Sequence, residues 1–348
     1  MAARSSTLGR VERICSAGED ARTLRLRVLA EIRRAVPFDS HVWVLTDPET
    51  AVGAAPLAAV PDLTEVPRLI RWRYLTAINR WTTLIDDPVA TLLGATAGDP
   101  RRSAVWREVL SRHGVVDVAS VVFRDAFGCW AFLELWRTTG PFDAADTGLL
   151  RDVALPGTAG LRAAQARTFA LASSGPRLGG PVVLVLSPDL EVRGQTPGTD
   201  APLRLMVPRD DDGPPVPAGA YNVAAQLLAR EAGVDAHPAE ARAHVGGGRW
   251  STLRAARLDG PLPADRADIA VTIEESSPAE RMSLFALASG LSPRERELLT
   301  LLAAGHDTAE VARRMFLSAY TVQDHLKSVF AKADVRSRRE LLSRVLGA

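Results

Sequence analysis

Cysteine is nearly absent from this chain. Of 348 residues only Cys15 and Cys129 are cysteines, too few for a disulfide framework and in keeping with a reducing compartment. Lysine is as scarce: only Lys327 and Lys332 occur, and every other basic residue is arginine. No lysine precedes Lys327. That excludes a Walker A loop, which needs Gly-Lys-Ser/Thr, and a phosphate-receiver domain, which needs a lysine beside its acidic pocket. No apolar stretch reaches the ~18 residues of a membrane span, and residues 1–10 lack a signal-like apolar core. Neither charge sign is in excess. Lys and Arg total 42 against 41 Asp and Glu, a net charge of +1, which excludes a uniformly basic coat but not a local basic patch. What is present is a globular composition, 47% hydrophobic and 24% charged, long enough for two or three domains. The expectation is a soluble cytoplasmic protein with no membrane partner.

Clusters of Gly, Pro, Ser and Asp divide the chain. Ser173-Ser174-Gly175-Pro176 with Gly179-Gly180-Pro181 reads as a linker, Pro208 to Pro217 with Asp210-Asp211-Asp212 as a loop, and Asp259–Asp265 and Glu275–Pro278 as further breaks. Before the linker, Ala21–Val36 has helical periodicity, His41–Leu45 is strand-like and Leu69–Ile78 reads as a helix. Val115–Arg124 and Cys129–Arg137, joined by Asp125-Ala126-Phe127-Gly128, carry a β-hairpin signal. Asp143–Ala172 reads as helix with an interruption at Pro156-Gly157. After the linker come strands Val182–Leu186 and Val192–Thr196, a helix Ala218–Glu231, and strands Ala241–Val245, Trp250–Leu258 and Ile269–Glu274. Gly246-Gly247-Gly248-Arg249 fits a hairpin turn better than a phosphate cradle.

The last 60 residues carry the strongest pattern. Ser292, Pro293 and Glu295 form a capping-box start, with Leu298, Leu301 and Leu302 on one face and Gly305 as the stop. Asp307 and Glu310 open a second, short helix that buries Val311, Ala312 and Met315. Phe316-Leu317-Ser318 is a tight connection, and Ser318 caps a third helix. At 100° per residue, Val322, Leu326, Val329 and Phe330 share one side. Tyr320, Asp324, Lys327, Ser328 and Ala331 share the other, flanked by Gln323 and Lys332. Packed on the first side, such a helix presents polar groups that can enter a major groove. Gln and Lys can read purine edges, and Asp can accept from the cytosine amino group. Ser337 starts a fourth helix bearing Leu341, Leu342 and Val345. From Gly290 onward ten basic residues face seven acidic ones, so a basic surplus lies where phosphate would bind.

The order short helix, Gly305, short helix, tight turn, long helix with Thr321-Val322 and Lys332, then Val335 and a fourth helix resembles the LuxR-type helix-turn-helix domain over Leu291–Leu346. The resemblance implies a transcription regulator that binds double-stranded DNA through its third helix and dimerises through its fourth. It assigns Thr321 and Lys332 to phosphate and Gln323, Asp324 and Lys327 to bases, with Ser328 on the same side. Two positions depart from the pattern: Gln323 stands where the family often has lysine, and Ala309 where it is often basic. The affinity per protomer should then be modest and a homodimer matter more. By element order alone, residues 1–175 resemble a GAF sensor domain and 176–280 a PAS domain, ahead of the helix-turn-helix at 285–348. The expected class is α+β multidomain, with GAF/PAS-like antiparallel sheets and flanking helices followed by an all-α four-helix domain. A small-molecule effector and RNA polymerase are the further partners this organisation suggests.

Other chemistry finds little support. The six histidines, His41, His113, His237, His244, His306 and His325, are scattered. No metal, cofactor or catalytic residue is expected. Cys129 reads first as an inert buried thiol and second as a redox sensor. Trp43, Trp130 and Trp136 read as core, or as the lining of an apolar effector site on the first sheet. Two alternatives stay open: a small-molecule enzyme with a DNA-binding tail, or a protein-interaction scaffold.

Overall fold

Two five-stranded antiparallel sheets share one strand order. In the first, β1 (Ser40–Thr46), β2 (Gly53–Ala59), β3 (Val89–Thr91), β4 (Asp117–Asp125) and β5 (Gly128–Arg137) lie in the order β2-β1-β5-β4-β3. The second contains β6 (Val182–Leu186), β7 (Val192–Gln195), β8 (Glu240–Gly246), β9 (Arg249–Arg257) and β10 (Ile269–Glu275), ordered β7-β6-β10-β9-β8. The computed structural model describes residues 2–170, 180–197, 199, 203, 217–259, 263 and 266–347. The linker cluster 173–176 and 179, the triple aspartate 210–212 and most of 259–265 lie outside the described residues.

One face of the first sheet is covered by α2 (Ala21–Ala35) and α4 (Ala144–Thr168), and α1 (Ala2–Ser16) packs on those two helices. Leu24, Val28 and Ile32 of α2 and Leu150 and Val153 of α4 meet Trp43, Phe123 and Leu133 there. Burying such side chains contributes ~1.5–3 kcal/mol each. Between β2 and β3 lies α3 (Val66–Tyr74), which starts earlier than the sequence suggested, with Pro67 in its first turn, and stops at Tyr74. Helix α4 is unbroken through Pro156. The proline removes only its own N–H, and Gly157 lets the helix settle on Phe123, where a Cβ would lie 2.6 Å from the ring. Packing overrides the local breaker. The segments α1, β2 and β3 were not legible as elements.

Among the described residues, the strands and the long helix of the second unit follow the expected order of two strands, helix and three strands. Its helix, α5 (Ala218–Glu231), packs on β9 of its own sheet and on β2 and α3 of the first unit. Close approach depends on Gly53, where an added Cβ would lie 2.7 Å from Asn222 Nδ2. Two buried ion pairs cross this junction. Arg80 Nε donates to Asp235 Oδ2 at 2.6 Å, and Arg80 Nη2 to Gln226 Oε1 at 2.8 Å. Arg242 grips Asp47 with Nε at 2.6 Å and Nη2 at 2.7 Å. Burial pulls the Arg242 guanidinium down, but Asp47 and Glu49 hold it above its ordinary range.

The three tryptophans do not form one lining. Trp43 sits opposite Leu133 in the β1–β5 register. Leu133 and Trp136 are three residues apart, so on an alternating strand they face opposite sides. Trp43 stacks on Phe123 at 5.0 Å, whereas Trp136 packs with Leu69, Leu92 and Val105. Trp130 donates Nε1–H to Asp125 Oδ1 at 2.9 Å. All three are at most 1% exposed, which is the core reading. Burial raises the Cys129 thiol, and burial followed by Glu12 raises Cys15 to about 11. Neither thiol has the thiolate character that redox sensing requires.

Candidate nucleic-acid interface

The C-terminal helices are α6 (Pro278–Ala288), α7 (Pro293–Ala303), α8 (Thr308–Met315), α9 (Ala319–Ala333) and α10 (Arg338–Leu346). In α7 a capping box closes at Ser292: its hydroxyl accepts from Glu295 N at 3.3 Å, and Glu295 Oε2 accepts from Ser292 N at 2.7 Å. Asp307 caps α8 through Glu310 N at 2.8 Å. Ser318 caps α9 by accepting from Thr321 N at 3.0 Å. The start of each helix is therefore written in its cap residue.

Helix α9 buries Val322, Leu326, Val329 and Ala333. Its other side carries Tyr320, Gln323, Asp324 and Lys327 in solvent, with the Lys327 side chain 74% exposed. Lys327 Nζ lies 3.1 Å from Asp324 Oδ1, an exposed i,i+3 pair. Such a pair is worth only ~0.3–0.5 kcal/mol, so phosphate or base edges can displace it. Thr321 is half-buried, its hydroxyl 2.9 Å from that of Ser318.

Two expected groove or phosphate residues have partners inside the domain. Ser328 Oγ donates to Glu295 Oε1 at 2.6 Å, and Lys332 Nζ to Glu295 Oε2 at 2.6 Å. Glu295 is 3% exposed. Burial opposes its charge, but Lys332, Ser328 and Ser292 hold its pKa at about 2. These two side chains tie α9 to α7. The wheel put Ser328 on the open side because it counted apolar neighbours only. A buried carboxylate on a facing helix also claims side chains.

Helix α6 was missed. The cluster Glu275–Pro278 reads as a break, yet Pro fits a first helical position. Ser277 and Glu280 form a full capping box, a signal present in the sequence. The helix joins three parts of the molecule. Arg254 of β9 pairs with Glu280. Phe285 packs edge-on against Phe169, at ring centroids 5.5 Å apart. Arg281 Nη1 donates to Gly248 O at 2.5 Å, and Nη2 to Arg344 O in α10 at 3.1 Å. The carbonyl end of α10 suits a cation. After α6 the chain turns at Gly290, φ +66°, where a Cβ would strike Arg162 Nη1 at 2.6 Å. One apolar core runs without a break from α2 through Leu284 and Phe285 to Leu298, Val329 and Val345.

Among the described residues, no group of three His, Cys, Asp or Glu is placed to hold a metal, and no helix is long and apolar enough to cross a membrane. No curated relative matches the chain. Residues 289–345 match the GerE family model, bacterial regulatory proteins of the luxR family, a family of DNA-binding regulators rather than enzymes. The five-helix C-terminal region thus ends in a LuxR-family helix-turn-helix domain, with α9 as its third helix.

Proposed function

We propose that the chain is a transcription regulator in which two sensor-like units, 1–175 and 176–280, control a DNA-binding domain at 285–348. The common 2-1-5-4-3 sheet order supports the GAF/PAS-like reading. Helix α9 enters the major groove. Gln323, Asp324 and Lys327 face bases and Thr321 faces phosphate, while Ser328 and Lys332 hold the helix in place. The carrying observation is the one-sided exposure of α9, packed on one face and free for base edges on the other. A homodimer would set two such helices on a palindromic site, with RNA polymerase as the downstream partner.

Helix α6 is the path of control, since it touches both sheet units and α10. A cleft of about 350 Å³ adjoins it, in which Glu49, Thr50, Glu240, Arg242, Glu280 and Ser283 stand beside the apolar Pro238 and Ala279. A small effector with both polar and apolar groups seated there would touch both units and α6 together. It would shift the domain only through differential affinity for two states.

Full-length protein titrated with duplex DNA tests the reading. Four phosphate contacts would lower affinity roughly a hundred-fold between ~50 and 200 mM salt. A flat response would remove the phosphate contacts. Lys327→Ala should cut discrimination between a selected site and random DNA by ~1–3 kcal/mol at unchanged stability. Lys332→Ala should lower stability and leave discrimination intact. The reverse pattern would show that the groove-facing side is misassigned.

A further inference from the structure

Phe316 is 95% exposed, the most exposed large apolar side chain among the described residues. Its backbone is left-handed, φ 57° and ψ 41°, a conformation that a residue with a Cβ adopts at a cost. The geometry closes α8: Leu317 N donates to Ala312 O at 2.9 Å and Phe316 N to Arg313 O at 3.3 Å. Glycine or asparagine would make the same bonds without that cost. Elsewhere in the domain such positions hold glycine or a short polar residue. The left-handed positions after α7, α9 and α10 hold Gly305, Asp334 and Gly347. Only between α8 and α9 does a bulky ring take such a position. The ring receives no packing in return, so both costs point to a contact outside the chain.

The neighbours indicate which contact. Phe316 stands two residues before Ser318, the cap of α9, at the helix end that presents Tyr320, Thr321, Gln323 and Asp324. Tyr320, on the groove-facing side of α9, is itself 75% exposed. Arg313 and Arg314 precede the ring and share one carboxylate, Glu310, with side chains 76% and 51% exposed; the cluster keeps one positive charge in excess and suits a polyanion rather than an apolar protein face. A phenyl ring has no donor or acceptor. The apolar feature a major groove offers is the thymine 5-methyl group.

We propose that Phe316 reads thymine methyl groups at the edge of the operator, extending the specificity of α9 past its N-terminus. The proposal rests on the assignment of α9 to the major groove. The test uses the full chain and a random duplex pool, with wild type, Phe316→Asn and Phe316→Leu. Asn accepts the left-handed backbone, so its melting temperature should equal or exceed that of wild type. A fall would assign the ring a structural role and overturn the proposal. Wild type should enrich a thymine beside the core sequence, Leu should keep part of that preference, and Asn should lose it while retaining the core. Replacing that thymine by uracil should weaken wild type about four-fold, the effect of one buried methyl, and leave Asn unchanged. Equal uracil effects, or identical selected sites, would overturn the thymine contact while leaving α9 in the groove. Unchanged DNA selection with lost transcription would overturn it in favour of polymerase. If wild type enriched no sequence at all, the groove assignment would fall with it.

Discussion

Asp235→Ala is expected to lower the unfolding free energy of the sheet region by ~3–5 kcal/mol, the penalty for leaving a buried charge without its partner. The partner is Arg80, fully buried, while the Asp235 side chain is 2% exposed. Arg80 Nη1 also donates to Tyr74 O at 2.5 Å, and Thr82 Oγ1 to Asp235 Oδ2 at 2.8 Å. Removing the carboxylate therefore leaves a guanidinium in the junction with backbone carbonyl and Gln226 acceptors only. Burial opposes the Asp235 charge, yet His237, Arg80 and Thr82 hold its carboxyl well below the ordinary range. A depressed carboxylate stabilises the fold above its unfolded pKa, near 4, and the contribution fades as pH falls further. Asp235→Ala should flatten the acid limb of the stability profile in that window. The double variant with Arg80→Met should recover part of the loss, because no unpaired charge remains. Urea unfolding of the three proteins reads both effects. A single-variant loss under ~1 kcal/mol would mean that water reaches Arg80 and that the two units are not locked at this point.

The same pair shows where sequence reading stops. Helix α5 and the strands around it were legible because their signals are local: alternation in Val182–Leu186, a turn at Pro188-Asp189, a helical run from Ala218. Nothing local connects Arg80 with Asp235, or Asp47 with Arg242, across more than 150 residues. Strand β2, with Ala54, Ala55 and Pro56, has weak strand propensity and forms because β1 and α5 pack on it. Helix α6 failed for the opposite reason. Its capping box, Ser277 with Glu280, lies in the sequence, but the cluster Ser276-Ser277-Pro278 fits a break between elements as well as a helix start. In the DNA-binding domain caps, stops and the apolar stripe of α9 are all local, so helix ends fell within a residue or two. The partners of Ser328 and Lys332 were not legible, because Glu295 lies on another helix and looks from the sequence like a cap residue alone. Phe316 was visible as part of a tight turn, while its left-handed backbone and open ring are facts of three dimensions.

Glu295→Ala should separate the structural role of Lys332 from the phosphate role that the resemblance assigns it. The carboxylate accepts from Ser292 N, Ser328 Oγ and Lys332 Nζ, so its loss removes the reciprocal half of the α7 capping box and both α9 anchors at once, while the Ser292 hydroxyl still caps the backbone N–H of residue 295. The shift from the usual 4.5 to about 2 would convert to ~3 kcal/mol at 1.36 kcal/mol per pKa unit. The Lys332 side chain is 38% exposed, and solvent screening of that partner brings the expectation to ~2 kcal/mol. The sign follows from the direction: the stabilisation is complete above the unfolded glutamate pKa, near 4.3, and disappears as pH falls towards 2. Wild type should therefore lose stability across that window, and Glu295→Ala should not. Glu295→Gln keeps one acceptor oxygen and should sit between them. At neutral pH and moderate temperature the folded fraction of Glu295→Ala should still discriminate its site from random DNA, because Gln323, Asp324 and Lys327 are untouched. Chemical denaturation at pH 7 and pH 3, with binding to selected and random duplexes, reads both halves. If Glu295→Ala kept full stability at pH 7 and bound DNA more tightly at low salt, Lys332 would be a phosphate contact that Glu295 restrains, and the anchoring role would fall.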